Sequence, residues 1–448
     1  MMTQAARTAG RCVIIGAGIG GLAAAAASAA FFDEVVVLDR DELPGTARHR
    51  KGVAQSQQLH ILLKGGDTFL EDLLPGIREA FAAAGACQVR HEADSIHFER
   101  GHVFPQRDVG YFHLGLSRPA YEWALRERVR RIPNVVIHER RSVDHANVEA
   151  GKLMSVGGTG GQQPFTEDGE LFIFANGRNG ALAQFLAEAG LGVVPTTELT
   201  IEVNYTTGRF KKARRYKGDN TQVVCYPGPP HRALGLLFPI ENDEWLIALG
   251  GRGSEKAPTD LDGFRSYAAS LPIDAIADRV RDAEVIGPLR GFRVPSSTWW
   301  HYDQLVDFPR RLIPLGDCVA SFNPTFGQGM SVAAGHAVAL RNALAVSVAS
   351  ERGLDDCAEH YFPKALELTA QAWNTAAMGD LEFPETQGAR PEEFEKRLAF
   401  ADALRRAARK HHEVHKLRFE IGHLLSPVSA ARDGPLAALI TAELQPKP

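Results

Sequence analysis

The apolar positions change period three times along the chain. Val13–Ile15 is an unbroken apolar run, as expected of a strand covered on both faces. From about Gly20 to Ala30 almost every residue is alanine, which predicts a helix able to lie close against a sheet. Val35–Leu38 is a second apolar run, so this stretch reads as strand, helix, strand. Pro119–Arg131 carries Tyr121, Leu125 and Val129 one turn apart, an amphipathic helix, and Val135–His138 reads as a strand. Between about 187 and 305 the pattern becomes short strands parted by turn residues: LTIEVNYTTGRF, NTQVVCYP, ALGLLFPI and EWLIALGG. Leu312–Leu315 is a last buried-type strand, followed by a helix from near Gly329 through Ala343. Beyond about 350, leucines recur at helical spacing.

The first strand runs directly into Gly16-x-Gly18-x-x-Gly21. Gly16 permits a sharp turn, Gly18 lets backbone approach a pyrophosphate, and Gly21 allows close helix–strand packing. Ile19 and Gly20 open the helix, whose free N–H groups face phosphate oxygens. Asp39 ends the second strand about twenty residues on, where an acid accepts bonds from ribose hydroxyls. Arg40 follows it. An acid at this position favours a free 2′-hydroxyl, hence FAD or NAD over NADP.

Composition narrows the class. At 448 residues the chain has room for two or three domains. Its 44% hydrophobic and 23% charged content is that of an ordinary globular protein. A formal charge of −4 supplies no basic field for nucleic acid. Five scattered cysteines have no CxxC spacing, so neither a zinc site nor a disulfide framework is indicated, and a cytoplasmic setting is expected. Arg7 and Arg11 before the uncharged stretch Cys12–Phe32 imitate a signal peptide or a span. Four glycines at structured spacing, and Asp33-Glu34 immediately after, argue against both, and membrane association is not expected.

RRLIPLGDCVASFNPTFGQGMSVAAGHAVALRNAL resembles the second flavin-contacting segment of the FAD-dependent aromatic hydroxylase and squalene epoxidase superfamily. The resemblance implies FAD as cofactor. Asp317, after Gly316, would bind the ribityl chain. The loop through Pro324, Gly327, Gln328, Gly329 and Met330 would bring a helix amino end to the flavin pyrimidine. Reduction places negative charge there, which a helix amino terminus stabilises. Arg118, in GLSRPAYEWALRERV, matches an arginine near the FAD phosphates; Arg126, Arg128, Arg130 and Arg131 read as a solvated face. Residues 47–86, Tyr205 and Phe210, and 371–391 resemble a bacterial subgroup that includes polyketide polyene epoxidases and related natural-product monooxygenases. Residues 172–180, FIFANGRNG, depart from it: Phe174 and Asn176 replace an acid and a threonine, while Gly177 and Arg178 remain. The Trp-x-Trp-x-Ile-Pro motif of flavin halogenases is not reproduced by STWWHY at 297–302, which argues against halogenation.

The expectation is an α/β protein: a Rossmann-like FAD-binding domain (1–75, 106–186, 306–345), an inserted β-rich substrate domain (76–105, 187–305) and a helical carboxy-terminal region (346–448). The resemblance implies epoxidation or hydroxylation of a largely apolar natural-product intermediate with O2 through a flavin C4a-hydroperoxide. Reduction would come from NAD(P)H directly or from a partner flavin reductase. Arg50, Gln57 and His60 are candidates near the ring. Tyr205, Phe210, Tyr226, Phe238, Trp245, Phe292, Trp299 and Trp300 are candidates for an apolar pocket, and Asn323–Phe326 should face both flavin and substrate. His411, His412 and His415 include an i, i+4 pair but read as a solvated helix face. Two alternatives stay open: a desaturase or prenyl-chain reductase without oxygen insertion, and a non-catalytic flavin binder.

Overall fold

Five apolar runs pair as a parallel sheet in the order Leu312–Pro314, Leu171–Phe174, Thr8–Ile15, Phe32–Leu38 and Val135–His138. The computed structural model describes residues 8–161, 163–178 and 181–444. Alternate residues of the first strand serve opposite faces. Cys12 and Ile14 join Ala23, Leu125 and Leu340 from the helices Ile19–Ser28, Arg118–Val129 and Gly329–Ser347. Val13 and Ile15 join Leu153 and Val156 from an antiparallel sheet of Arg141–Glu149, Lys152–Gly160 and Gln163–Asp168. Cover on both faces is why these strands read as unbroken apolar runs.

The second large sheet has eight strands, ordered Ala320–Ser321, Glu284–Trp300, Thr196–Lys211, Glu244–Arg252, Ala233–Ile240, Gln222–Tyr226, Ser95–Glu99 and His102–Val103. All pairs are antiparallel except Gln222–Tyr226 with Ser95–Glu99. The edge strand Ala320–Ser321 lies between Asp317 and Pro324, so the cofactor loop of one sheet is also a strand of the other. The back of the sheet is covered by the helices Leu261–Ala269 and Ala275–Val280 around Phe210, Trp245, Ile247 and Leu249. The front carries Tyr205, Val224, Leu236, Phe238 and Ala248 and receives Ala372, Trp373 and Leu381 from the helix Cys357–Leu381.

The remaining carboxy-terminal helices, Phe394–Lys410, His412–Gly422, Ser429–Asp433 and Ala437–Thr441, share a small core with Ala407, Val414, Ala431 and Ile440. The histidine trio differs from the solvated face its sequence suggests. The helix breaks at His411, which is extended (φ −116°, ψ 127°), and His415 is fully buried and bonded through Nε2 to Glu92 at 3.0 Å. Arg126 is likewise buried, bonding the Pro44 carbonyl beside Glu122. Among the described residues no helix is long and apolar enough to cross a membrane.

Candidate functional site: an extended nucleotide groove

A groove runs from the end of the second strand, past the glycine turn, to the front of the eight-stranded sheet. Its phosphate end is shaped by backbone. Gly16 sits at φ +107°, where a Cβ would lie 2.5 Å from the Ala175 carbonyl oxygen. A Cβ at Gly21 would lie 1.7 Å from the Gly16 oxygen. Gly18 caps the helix without a side-chain bond, and the first turn carries no acid. The space above Gly18 is open, and the Arg50 and Arg118 Nη2 atoms stand 3.8 and 3.9 Å from the position of a Cβ there. An uncapped helix amino end with two converging guanidiniums is a site for a diphosphate.

Arg50 is held by three acids, bonding Glu122 at 2.6 Å, Asp41 at 2.8 Å and Asp39 at 3.1 Å. Burial alone would lower its pKa, but Glu122 and Asp39 reverse this and the net shift is upward. Asp39 also accepts from Ala17 N at 2.7 Å and Asp41 N at 2.9 Å. The acid therefore braces the glycine turn as well as facing the groove. Arg118 is buried, its Nε has no partner, and burial pulls its pKa down against the pull of Glu122.

The other end is built around Gly316 (φ +68°) and Asp317. Asp317 lies 3.5 Å from Arg178 and 3.2 Å from where a Cβ of Gly329 would be, at the uncapped amino end of Gly329–Ser347. His336, two turns into this helix, fixes Gly316: its Nδ1 accepts from Gly316 N at 3.1 Å while Nε2 meets Ala365 O and Thr369 Oγ1. Burial lowers this imidazole to about 4, so it is neutral. Asn323 caps the turn Pro324–Phe326, accepting from Thr325 N at 3.1 Å, and Gly327 closes it at φ +66°. Gln328 is buried with an unpartnered Oε1 on the groove wall.

These residues fit FAD: helix N–H groups and guanidiniums for the diphosphate, Asp39 at the ribose position, Asp317 for the ribityl chain, and a helix amino end for the ring. Gly16, Gly18, Ile19, Gly20, Asp39, Arg40, Arg118, Gly316, Asp317, Pro324, Gly327, Gln328, Gly329 and Met330 all line the groove, and Gly21 supports the turn from behind. So do Arg50, His60, Tyr205, Phe238, Phe292 and Asn323. The segment Ala175–Arg178, which departs from the subgroup in sequence, lines it too. Trp245, Phe210, Gln57 and Phe326 fall elsewhere than expected. Trp245 is fully buried on the back of the sheet, because odd positions 245, 247 and 249 of its strand face the helices there; Phe210 joins it. Gln57 ends a 3-10 turn outside the groove, and Gln55 takes the wall position instead. Phe326 faces a neighbouring chamber rather than the groove, stacked on Tyr226 at 6.2 Å. His336 and Arg178 had no role from sequence, because nothing local marks a residue whose partner lies in another element.

His60 contacts the Gln58 carbonyl through Nδ1 at 3.0 Å; a carbonyl only accepts, so Nδ1 carries the proton and Nε2 is an acceptor. Burial, then Arg118, push its pKa down to about 3. His60 is thus a neutral acceptor at working pH and not a proton donor. Asp317→Ala is expected to cut FAD occupancy at least tenfold while leaving the circular dichroism spectrum unchanged. An unaltered ratio of 450 nm to 280 nm absorbance in the purified variant would show that Asp317 does not hold the cofactor.

The sequence matches no protein-family model. By structure, the chain resembles the flavin-dependent brominase Bmp2 (TM-score 0.68, 13% identity, 97% of this chain and 98% of that one). It also resembles a flavoprotein/dehydrogenase from Cytophaga hutchinsonii (TM-score 0.68, 12% identity, 97% and 99%). PqsL of Pseudomonas aeruginosa, "a probable FAD-dependent monooxygenase", superposes with TM-score 0.61 at 15% identity over 83% and 95%. The fold is thus one shared with FAD-dependent flavoproteins, and the groove has the shape and charges to take their cofactor. Protein Rv3254 of Mycobacterium tuberculosis is 32% identical over 388 residues, 83% of this chain and 80% of its own, and the chain belongs to the family of that protein.

Proposed function

We propose that this chain is an FAD-dependent monooxygenase that epoxidises or hydroxylates a largely apolar organic molecule, using O2 and electrons from NAD(P)H or a partner reductase. One observation carries the reading: a second chamber of about 590 Å³ shares Ile61, Tyr226, Phe238, Thr325 and Gln328 with the ring end of the groove. These side chains would be all that parts a molecule in that chamber from the ring end of the groove. Bound FAD, once reduced, supplies the activated oxygen. The protein's part is to position and to exclude water: Tyr226, Phe238 and Phe326 give the reacting carbon an apolar surface. Neutral His60 offers Nε2 as a fixed acceptor beside Arg118 and Arg178, without competing as an acid.

The likeness to a brominase is one of fold, and the tryptophans of STWWHY are used elsewhere. Trp300 packs in the core behind the parallel sheet, and Trp299 lies against Trp373 and His301. Turnover under ¹⁸O2 with a chemical or enzymatic reductant tests the reading: one labelled oxygen in the product is expected. Product formed anaerobically with an artificial electron acceptor would instead mean oxidation without oxygen insertion.

A further inference from the structure

The second chamber has two unlike ends. Toward the groove its wall is aromatic and aliphatic: Ile61, Tyr226, Phe238 and Phe326. Outward, Glu99 stands opposite Tyr226 on the neighbouring strand, about 5 Å further from the groove by ordinary strand spacing. There the wall becomes charged, and the charges beside Tyr226 are paired with one another. Glu99 accepts from Arg405 Nε at 2.7 Å and from Arg418 Nη2. Glu382 pairs with Arg100 and, at 3.5 Å, with Arg405. Glu92 is bonded to His415. Three guanidiniums thus face three carboxylates around one cavity, and the buried pair Arg252–Asp380 nearby is also balanced. Asp402 adds a carboxylate from the solvent side, and Glu367, Arg397 and Arg432 stand at the outer rim, outside these pairs.

The imidazoles on this wall add no charge: burial and then Arg418 lower His97, and burial lowers His423 to about 3. Buried polar atoms without a partner cluster here as well: Gln222 Oε1, His91 Nε2 and His97 Nε2 belong to side chains at least nine-tenths buried on the chamber wall. A ligand bearing net charge would leave one charge unpaired among the groups of this inner belt, which is costly. A ligand bearing hydroxyl or carbonyl oxygens meets donors and acceptors already in place.

We propose that the chamber selects an uncharged amphiphile, with its oxygen-bearing end on the Glu99–Arg405–Arg418 belt and its hydrocarbon end on the wall shared with the flavin groove. This deepens the oxygenase reading and rests on it for one part only, the oxidation of the hydrocarbon end. Glu99, Arg405 and Arg418 are then specificity residues, remote from the reacting carbon.

Calorimetric titration of the chain, purified after incubation with FAD, with hexyl glucoside, hexanoate and hexylammonium tests the selection. Hexyl glucoside should bind at least tenfold more tightly than either charged probe. Glu99→Gln, which removes one negative charge from the belt, should raise hexanoate affinity at least tenfold relative to hexyl glucoside. Arg418→Gln should do the same for hexylammonium. A charged probe binding as well as the glucoside to the unaltered protein would overturn the proposal, as would failure of all three to bind. Because the ranking on the unaltered protein decides alone, a misfolded variant does not rescue the idea. Absorbance at 450 nm on the same sample separates the two claims. A yellow chain that prefers a charged probe sinks the selection only, whereas a colourless chain that ranks the heads as expected sinks the oxygenase reading only.

Discussion

Gly21→Ala is expected to yield a colourless protein with a lowered melting temperature. The added methyl would lie 1.7 Å from the Gly16 carbonyl oxygen and 2.9 Å from its carbon, both backbone atoms. No rotamer change relieves such a clash. The turn must open, and Gly16 is itself wedged against the Ala175 carbonyl. Opening moves the amino end of Ile19–Ser28 and breaks the Ala17–Asp39 bond. Gly18→Ala makes the informative contrast. Its methyl would meet only Arg50 and Arg118 at ordinary distances, so the free chain should fold with its melting temperature within a few degrees. FAD affinity should nonetheless fall at least tenfold, because the methyl occupies the space a phosphate needs. Yellow Gly21→Ala protein of normal stability would refute the close packing of this turn.

Acidification from pH 7.5 to 5 is expected to lower the melting temperature by roughly 8 °C. Burial holds His60 and His423 at about 3, and His113 and His336 at about 4, in the folded chain. Unfolded histidine titrates near 6.5, so between that pH and the folded values the unfolded chain binds more protons and stability falls with pH. Each such group costs up to about 1.4 kcal/mol per pH unit in that window. Four together cost about 8 kcal/mol by pH 5, and one kcal/mol moves the melting point by about 1 °C in a chain of this size. The carboxylates act lower. Burial would raise Glu92 and Glu99, but the His415 bond on one and Arg418 with Arg405 on the other bring both to about 2. Their stabilising contribution is intact above about pH 4.5 and is lost below it. A flat melting temperature between pH 7.5 and 5, measured by calorimetry, would mean that these histidines protonate in place.

What the sequence made legible was the part encoded locally. The glycine turn, Asp39 and the Gly316-Asp317 loop each announce themselves within a few residues, because sharp turns and helix ends demand particular residue types. Trp245 was not legible in the same way. In a strand covered on both faces, Trp245 and Ala248 are equally apolar neighbours, and only the position of two flanking helices decides which side faces the site. His415 and Arg126 look solvated in a charged stretch, yet each is buried by an element far away in sequence. His336 is the same case at the site itself: an ordinary helix residue until Gly316 arrives beside it. Residues 174–176 mislead in the opposite sense, since a wall made by backbone tolerates changes in side chain.

The belt around Glu99 has a consequence for synthesis of the chain. Arg405 and Arg418 lie 306 and 319 residues downstream of the glutamate they cover. On a ribosome the front of the eight-stranded sheet, with Tyr205, Phe238 and Tyr226, is complete long before its lid is made. A nascent chain therefore displays this greasy surface from the completion of the sheet at Ser321 until the helix Cys357–Leu381, and then the two belt arginines, have followed it off the ribosome.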